Sequence, residues 1–265
     1  MTRQLKGVLV TGGGTFLGDN IASALLAEGA EVTLLVRHGT EDRLGPLAQR
    51  TRWYTADVWD TASLHGRARN HAVVIHTVGS MNADPSKGLS HHRLNFLSAR
   101  NVANMCISDG VPHMVLISSV HAPWVNRSYI KSKRESEDYL RRVGLKSSII
   151  RAPLTYIRGY PRPLFYQLMT LLGSIPPLSW LWFGRVAPMP VDMLARGVAR
   201  IALEEQRDKA IYYARDLRKR NKRGEVRQSS DTIEHYHPQQ NQPIDPFKMI
   251  DEESPFAWSP IDKNK

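Results

Sequence analysis

A doubly wound α/β fold, a parallel sheet with helices on both faces, is what this sequence predicts, and two observations predict it. The first is the stretch Gly7 to Gly18, in which an aliphatic run ends in a glycine cluster and a helical pattern follows. The second is the recurrence of short aliphatic runs at Glu31 to Val36, Val73 to His76, Met114 to Ile117 and Ser147 to Ile150, with a further strand near Trp53 to Ala56. Runs of this length and composition suit strands buried on both faces of a parallel sheet.

In chain order, Val8, Leu9 and Val10 make the first strand, and Gly12, Gly13 and Gly14 follow at once. A helical pattern then runs from Phe16 through Ile21, Ala24, Leu25 and Leu26 to Gly29. Strand, glycine turn and helix in this order suit the pyrophosphate of a dinucleotide, because glycine lets the backbone approach and the helix N-terminus favours negative charge. The candidate cofactor contacts here are Gly12, Gly14, Thr15, Phe16, Leu17 and Gly18. A structural turn that binds nothing is the alternative. The second strand runs into Arg37 where an acidic residue would select NAD(H); arginine suits a 2′-phosphate, hence NADP(H), unless it is a solvated surface arginine. The third strand ends in Asp57-Val58, where such folds contact adenine, and the fourth exits through Thr77, Val78, Gly79 and Ser80. A long helix over Leu94 to Ser108 carries Leu97, Val102, Met105 and Cys106 on its apolar side. The fifth strand ends in Ser118-Ser119.

With Tyr129-Ile-Lys-Ser-Lys133 the pattern becomes specific. Together with Thr11-Gly-Gly-Gly-Thr-Phe-Leu-Gly18, Ala56-Asp-Val58 and Ser118-Ser119, it resembles the extended or atypical short-chain dehydrogenase/reductase family, a Rossmann fold, over roughly residues 5–205. The resemblance implies that Tyr129 is the general acid or base, that Lys133 lowers its pKa and holds the cofactor ribose, and that Ser119 polarises a substrate carbonyl. Residues four apart share a helix face, and a nearby ammonium favours the phenolate, so the pairing suits that chemistry. Two departures stand out. Thr15 occupies a place usually held by glycine, and only ten residues take Ser119 to Tyr129, so the loop His121 to Arg127 reshapes the substrate side. His121 is a substitute acid or simply a polar loop residue. Such relaxed motifs resemble the mitochondrial atypical branch of the family, with its ubiquinone-biosynthesis accessory reductase and the NADPH-binding accessory subunit of respiratory complex I.

Beyond the sixth strand, Arg151-Ala-Pro153 resembles the family's strand exit toward the nicotinamide. The apolar stretch Leu164 to Phe183 is broken by Gly173 and Pro176-Pro177 into pieces too short to span a bilayer of about 30 Å. It is either the wall of a substrate pocket or, with Trp180 and Trp182 beside Arg185, a pair of interfacial helices. Pro190-Val-Asp192-Met opens a further helix through Ala202. The domain reading is therefore 1–160 for a nucleotide-binding core, 161–214 for a small substrate portion, and 215–265 for a basic, then polar, disordered tail. Phe247, Phe256 and Trp258 in that tail are candidate docking points.

The net charge of +11 favours anionic partners, and one cysteine excludes an internal disulfide framework. Neither a cleavable targeting peptide nor a membrane span is expected, and an uncleaved or internal signal stays open. The expectation is an NADP(H)-dependent oxidoreductase, with NAD(H) second, acting on a hydrophobic or lipid-like carbonyl or quinone compound. The resemblance implies ubiquinone biosynthesis on the matrix side of the mitochondrial inner membrane, with a cytoplasmic location as the alternative. An anionic membrane and a multiprotein biosynthetic complex are the further expected partners. Nucleic acid is not expected, since no zinc spacing, P-loop or nucleic-acid motif accompanies the basic run. The competing class is a non-catalytic nucleotide-binding accessory subunit of a membrane-associated complex.

Overall fold

The computed structural model describes residues 7–158, 164–174, 186–205 and 209–222. Seven parallel strands form one sheet in the order β3-β2-β1-β4-β5-β6-β9, where β1 is Gly7–Gly13, β2 Glu31–Val36, β3 Arg52–Thr55, β4 Val73–His76, β5 Met114–Ser119, β6 Ser147–Ala152 and β9 Ile211–Tyr213. A two-stranded parallel pair, β7 (Thr155–Tyr156) with β8 (Met189–Pro190), lies apart from it.

Alternation along the strands builds two cores. Val8, Val10, Leu34, Ile75 and Val115 point to one face, which helix α1 (Phe16–Ala27) and a later helix, α7 (Val191–Leu203), cover. Leu9, Leu35, Val74 and Leu116 point to the other, covered by α4 (Ser98–Ser108) and α5 (Arg127–Arg142). Continuous aliphatic runs are needed because every residue of a central strand meets one of these layers. Helix α1 starts at the Thr15 cap and ends where Gly29, at φ +79°, lets Ala30 N–H reach Leu25 O at 3.0 Å. Cys106 is buried and inert in the second core, its thiol pushed up to about 12 by desolvation.

Two departures from the sequence reading concern the carboxyl end. The expected tail does not begin at 215, because α8 (Ala214–Lys222) is a helix packed on the main core. Leu217 is fully buried, and a Cβ on Gly197 would lie 2.8 Å from its Cδ2, so α7 and α8 meet closely. Asp216 fixes the entry, taking Tyr213 N–H at 2.9 Å and Lys209 at 2.6 Å. Second, α7 and β9, placed by the domain reading in the substrate portion, are built into the main sheet and its cover. Of the apolar stretch, the short helices α2 (Leu47–Arg50) and α3 (Thr61–Leu64) being earlier elements, only α6 (Leu164–Ser174) is described. Trp180, Trp182, Arg185 and everything after Lys222, including Phe247, Phe256 and Trp258, lie outside the described residues. No described helix is long and apolar enough to cross a membrane.

Candidate functional site

Strand order reverses between β1 and β4, so a crevice opens at their carboxyl ends, the place where open α/β sheets hold ligands. The ends are stitched together: Thr77 Oγ1 donates to Thr11 O at 2.5 Å, and Thr11 Oγ1 accepts Thr77 N–H at 3.2 Å. Gly12, at φ +85°, has no room for a side chain, since a Cβ would lie 2.5 Å from Thr77 Oγ1. At Gly18 a Cβ would stand 2.1 Å from Gly12 O, which is what brings the amino end of α1 down onto the turn. Thr15 stands where the family resemblance expects glycine. Its hydroxyl folds into the turn, donating to Gly12 O at 2.6 Å and accepting Gly18 N–H at 3.2 Å, so it caps the helix. Leu17 is buried and Phe16 half-buried against the first core. These two residues can serve a cofactor through backbone amides, not side chains.

Asp19 is a feature that motif reading passed over. Its Oδ1 accepts the Gly14 N–H at 2.9 Å, so a carboxyl braces the turn at the helix end that attracts anions. Burial pushes that carboxyl up to about 7, the Gly14 hydrogen bond opposing the rise. A carboxyl raised in the folded state stabilises the fold fully below its unfolded value of 3.8, and that contribution is lost as pH rises through about 7. A bound pyrophosphate also prefers the neutral form. Nucleotide affinity should therefore fall as pH rises through about 7, and Asp19→Asn, which keeps the acceptor, should flatten the profile. Titrations across that range check this; an unchanged slope in Asp19→Asn contradicts it.

Arg37 follows β2 directly, half-buried, in a turn where its carbonyl accepts Thr40 N–H at 3.1 Å and Thr40 Oγ1 at 2.8 Å. This turn packs on the glycine loop, for a Cβ on Gly14 would lie 3.2 Å from Thr40 O. Asp57 takes Trp59 N–H on its carboxylate at 2.9 Å, whereas Val58 and Val78 are buried in the second core. Any contact they make with a ligand in the crevice would come from their backbone.

The chemical end lies between β5 and α5. Asn126 caps α5, accepting Ser128 N–H at 2.8 Å, and the first turn brings Tyr129 close to Ser119, whose hydroxyl donates to Val120 O at 3.2 Å and favours the charged form of the phenol. Lys133, one turn on, holds its ammonium 5.8 Å from the Tyr129 ring centre and donates to Ile117 O at 3.1 Å. Burial pushes the phenol up to about 12, outweighing the Ser119 hydroxyl and the Arg134 charge, so Tyr129 is a neutral acid. Burial pushes Lys133 down to about 8, opposed by Glu137, which leaves it charged at neutral pH. Tyr129, Lys133 and Ser119 lie close together, but the phenol's pKa is raised rather than lowered as the resemblance implies, with Arg134 and not Lys133 as the charge opposing the rise, and His121 is exposed on its loop.

Several site residues were missed. Asn95 lies in a π-helical segment (His92–Leu97) before α4 and clamps Ser80, accepting its N–H at 3.1 Å and donating to its carbonyl at 2.9 Å. Such bulges concentrate at functional sites, and this one presses Asn95 and Lys133 against Gly79, where a Cβ would lie 2.5 and 2.7 Å from them. His91 meets the Tyr129 ring edge-on at 5.9 Å. Glu137, with 1% of its side chain exposed, accepts Ser118 Oγ at 2.6 Å and Arg151 Nη2 at 2.6 Å and pairs with Arg134. Arg134 in turn donates to Ser119 O at 2.9 Å. Glu137 therefore holds the Ser118-Ser119 strand end from behind. Its place eight residues after Tyr129, on the same helix face, was the available signal. No cluster of metal-ligating side chains occurs among the described residues.

Solved structures share this architecture. The Bordetella bronchiseptica enzyme WbmH, in complex with NAD+, is 21% identical with a TM-score of 0.59, covering 79% of this chain and 75% of its own. The dTDP-glucose 4,6-dehydratase DesIV of Streptomyces venezuelae is 22% identical at a TM-score of 0.56 (78% and 74% covered). UDP-glucose 4-epimerase of Thermus thermophilus, complexed with NAD, is 20% identical at 0.56, with 82% of each chain covered. At these identities the likeness is one of fold. A search of curated proteins finds no match. A family model described as NAD(P)H-binding matches residues 12–156, more than half of the 265 residues, from the glycine turn to β7. With the crevice at the β1–β4 reversal, the glycine turn and the capped helix inside that match, the chain belongs to the NAD(P)H-binding family.

Proposed function

We propose that this chain is an NADP(H)-dependent oxidoreductase that reduces a carbonyl group of a hydrophobic, quinone-like compound. The observation that carries the reading is the buried, neutral Tyr129 phenol, close to the Ser119 hydroxyl and one helical turn from the Lys133 ammonium. The bound dinucleotide supplies the hydride. Ser119 orients and polarises the carbonyl oxygen, and Tyr129 delivers the proton that completes the alcohol. Lys133 stabilises the phenolate left behind and aids its reprotonation from solvent. Val120, Ala122, Val125 and Val186 pack beside Tyr129, which favours an apolar substrate at the reacting end. Ubiquinone biosynthesis at the matrix face of the mitochondrial inner membrane is the setting we propose, supported by the motif resemblance alone.

NADP(H) is preferred in this reading because Arg37 leaves β2 beside the glycine loop. Losing a charge-assisted contact to the 2′-phosphate should cost about 1.5–3 kcal/mol, roughly ten-fold or more in affinity. Arg37→Ala should weaken NADPH by that factor and leave NADH alone. Equal affinity of the wild type for both nucleotides contradicts the preference.

One pair of observations favours a second reading, a nucleotide-binding accessory subunit without turnover. Thr15 fills the place of a glycine, and Asp19 occupies a loop amide next to the phosphate position. Complementation separates the two: a Tyr129→Phe chain that still supports function in cells favours the accessory role, and one that fails favours catalysis.

A further inference from the structure

A second corner of the molecule, apart from the glycine turn and from Tyr129, combines a cationic cavity with an exposed apolar helix face. The cavity, of about 400 Å³, is lined by Arg158, Arg218, Tyr156, Thr170, Pro188 and Met193. Among the described residues, no carboxylate lines it. The nearby Asp192 takes two arginines, Arg158 at 3.3 Å and Arg196 at 2.8 Å, so the corner keeps excess positive charge. Arg218 is half-buried, donates to Ala187 O at 3.3 Å, and has its pKa lowered by burial. A guanidinium held in a partly dry wall gains most from an anion it can grip with two N–H groups.

Beside this cavity runs α6. Leu164, Leu168 and Leu171 lie at i, i+4 and i+7 and are 81%, 51% and 59% exposed, whereas Met169 on the opposite side is buried. Thr170, between the two faces, turns to the cavity. Exposed Arg215 and Lys219 lie on α8, the helix that supplies Arg218. An apolar stripe bordered by cations is the surface that an anionic bilayer fits, because the leucines can enter the acyl boundary while the cations stay at headgroup level.

We propose that this corner docks on an anionic membrane surface, with the α6 leucines entering the apolar phase and the phosphate of one lipid headgroup seated between Arg158 and Arg218. The attachment is peripheral, since no described helix can span a bilayer. The docking stands independently of the proposed chemistry. Apolar area supplies the anchoring and the arginines supply the lipid preference, so the two contributions separate by mutation.

The test is co-sedimentation of the full chain with vesicles of phosphatidylcholine alone or mixed with phosphatidic acid, in low and high salt. Wild type should bind the mixed vesicles, bind neutral ones weakly, and lose binding as salt rises. Arg218→Gln should weaken partition to mixed vesicles about five-fold, the worth of one basic residue near a charged surface. The double variant Leu168→Ser, Leu171→Ser should weaken it about ten-fold or more on either lipid. Unchanged NADPH titrations show that each variant is folded, and Arg158→Gln replaces Arg218→Gln should the latter fail to fold. Binding indifferent to both the arginine and the leucines overturns the proposal. So does an absence of vesicle binding, including the case in which inorganic phosphate alone raises the melting temperature in an Arg218-dependent way, which marks a soluble anion as occupant.

Discussion

Tyr129→Phe should lower turnover by about 10²- to 10⁴-fold while leaving NADPH affinity unchanged, because it deletes only the proton donor. The fold makes this a clean deletion. Tyr129 is buried at the start of α5, its ring wedged among Val120, Val125 and Ile130, and phenylalanine fills the same space. What is lost is the phenol hydroxyl, whose charged form Ser119 favours. Lys133→Ala, by contrast, should harm binding and turnover together, since its ammonium lies against the β4 exit at Gly79 as well as under the Tyr129 ring. Steady-state kinetics beside a binding titration distinguish the two; equal loss of affinity in both variants contradicts the assignment of roles.

Glu137→Ala should be the most destabilising single change in the site, by about 3–5 kcal/mol, the usual result of removing one partner of a buried ion pair. Its carboxylate is nearly inaccessible and bonds Ser118, Arg134 and Arg151 at once. Without it two guanidinium groups and a hydroxyl stay behind, largely shielded from water. Arg151, which also donates to Tyr213 OH at 2.8 Å, ties β6 to β9, so the loss spreads across the sheet edge. Denaturant melts should show a lower midpoint for Glu137→Ala, and a change under about 1 kcal/mol would mean that the cluster contributes little to stability.

Much of this was legible in the sequence. Strands β2 and β4 begin and end where the aliphatic runs do, because a strand buried on both faces tolerates few polar interruptions. The glycine turn was readable since only glycine meets the spatial demands at positions 12 and 18. Tyr129 and Lys133 were readable because four-residue spacing on a helix is a geometric statement in itself. Less legible was whatever depends on distant partners. Helix α8 reads as a basic run because only two apolar residues, Ala214 and Leu217, bury it, and Gly197, twenty positions before Leu217, makes room for that leucine. Strand β9 is three residues long and gains its place from the edge of β6. Asp19 gave no signal because its role rests on a hydrogen bond to the turn and on burial, neither visible in spacing. The same is true of Asn95, whose π-helical setting emerges only when the segment packs against Ser80 and Lys133.

The measurement that tests the account most directly is NADPH consumption with a short-chain benzoquinone as acceptor, wild type against Tyr129→Phe, with nucleotide binding followed in the same samples. Both proteins should bind NADPH and only the wild type should consume it. Equal consumption by both, or none by either while both bind, contradicts the account.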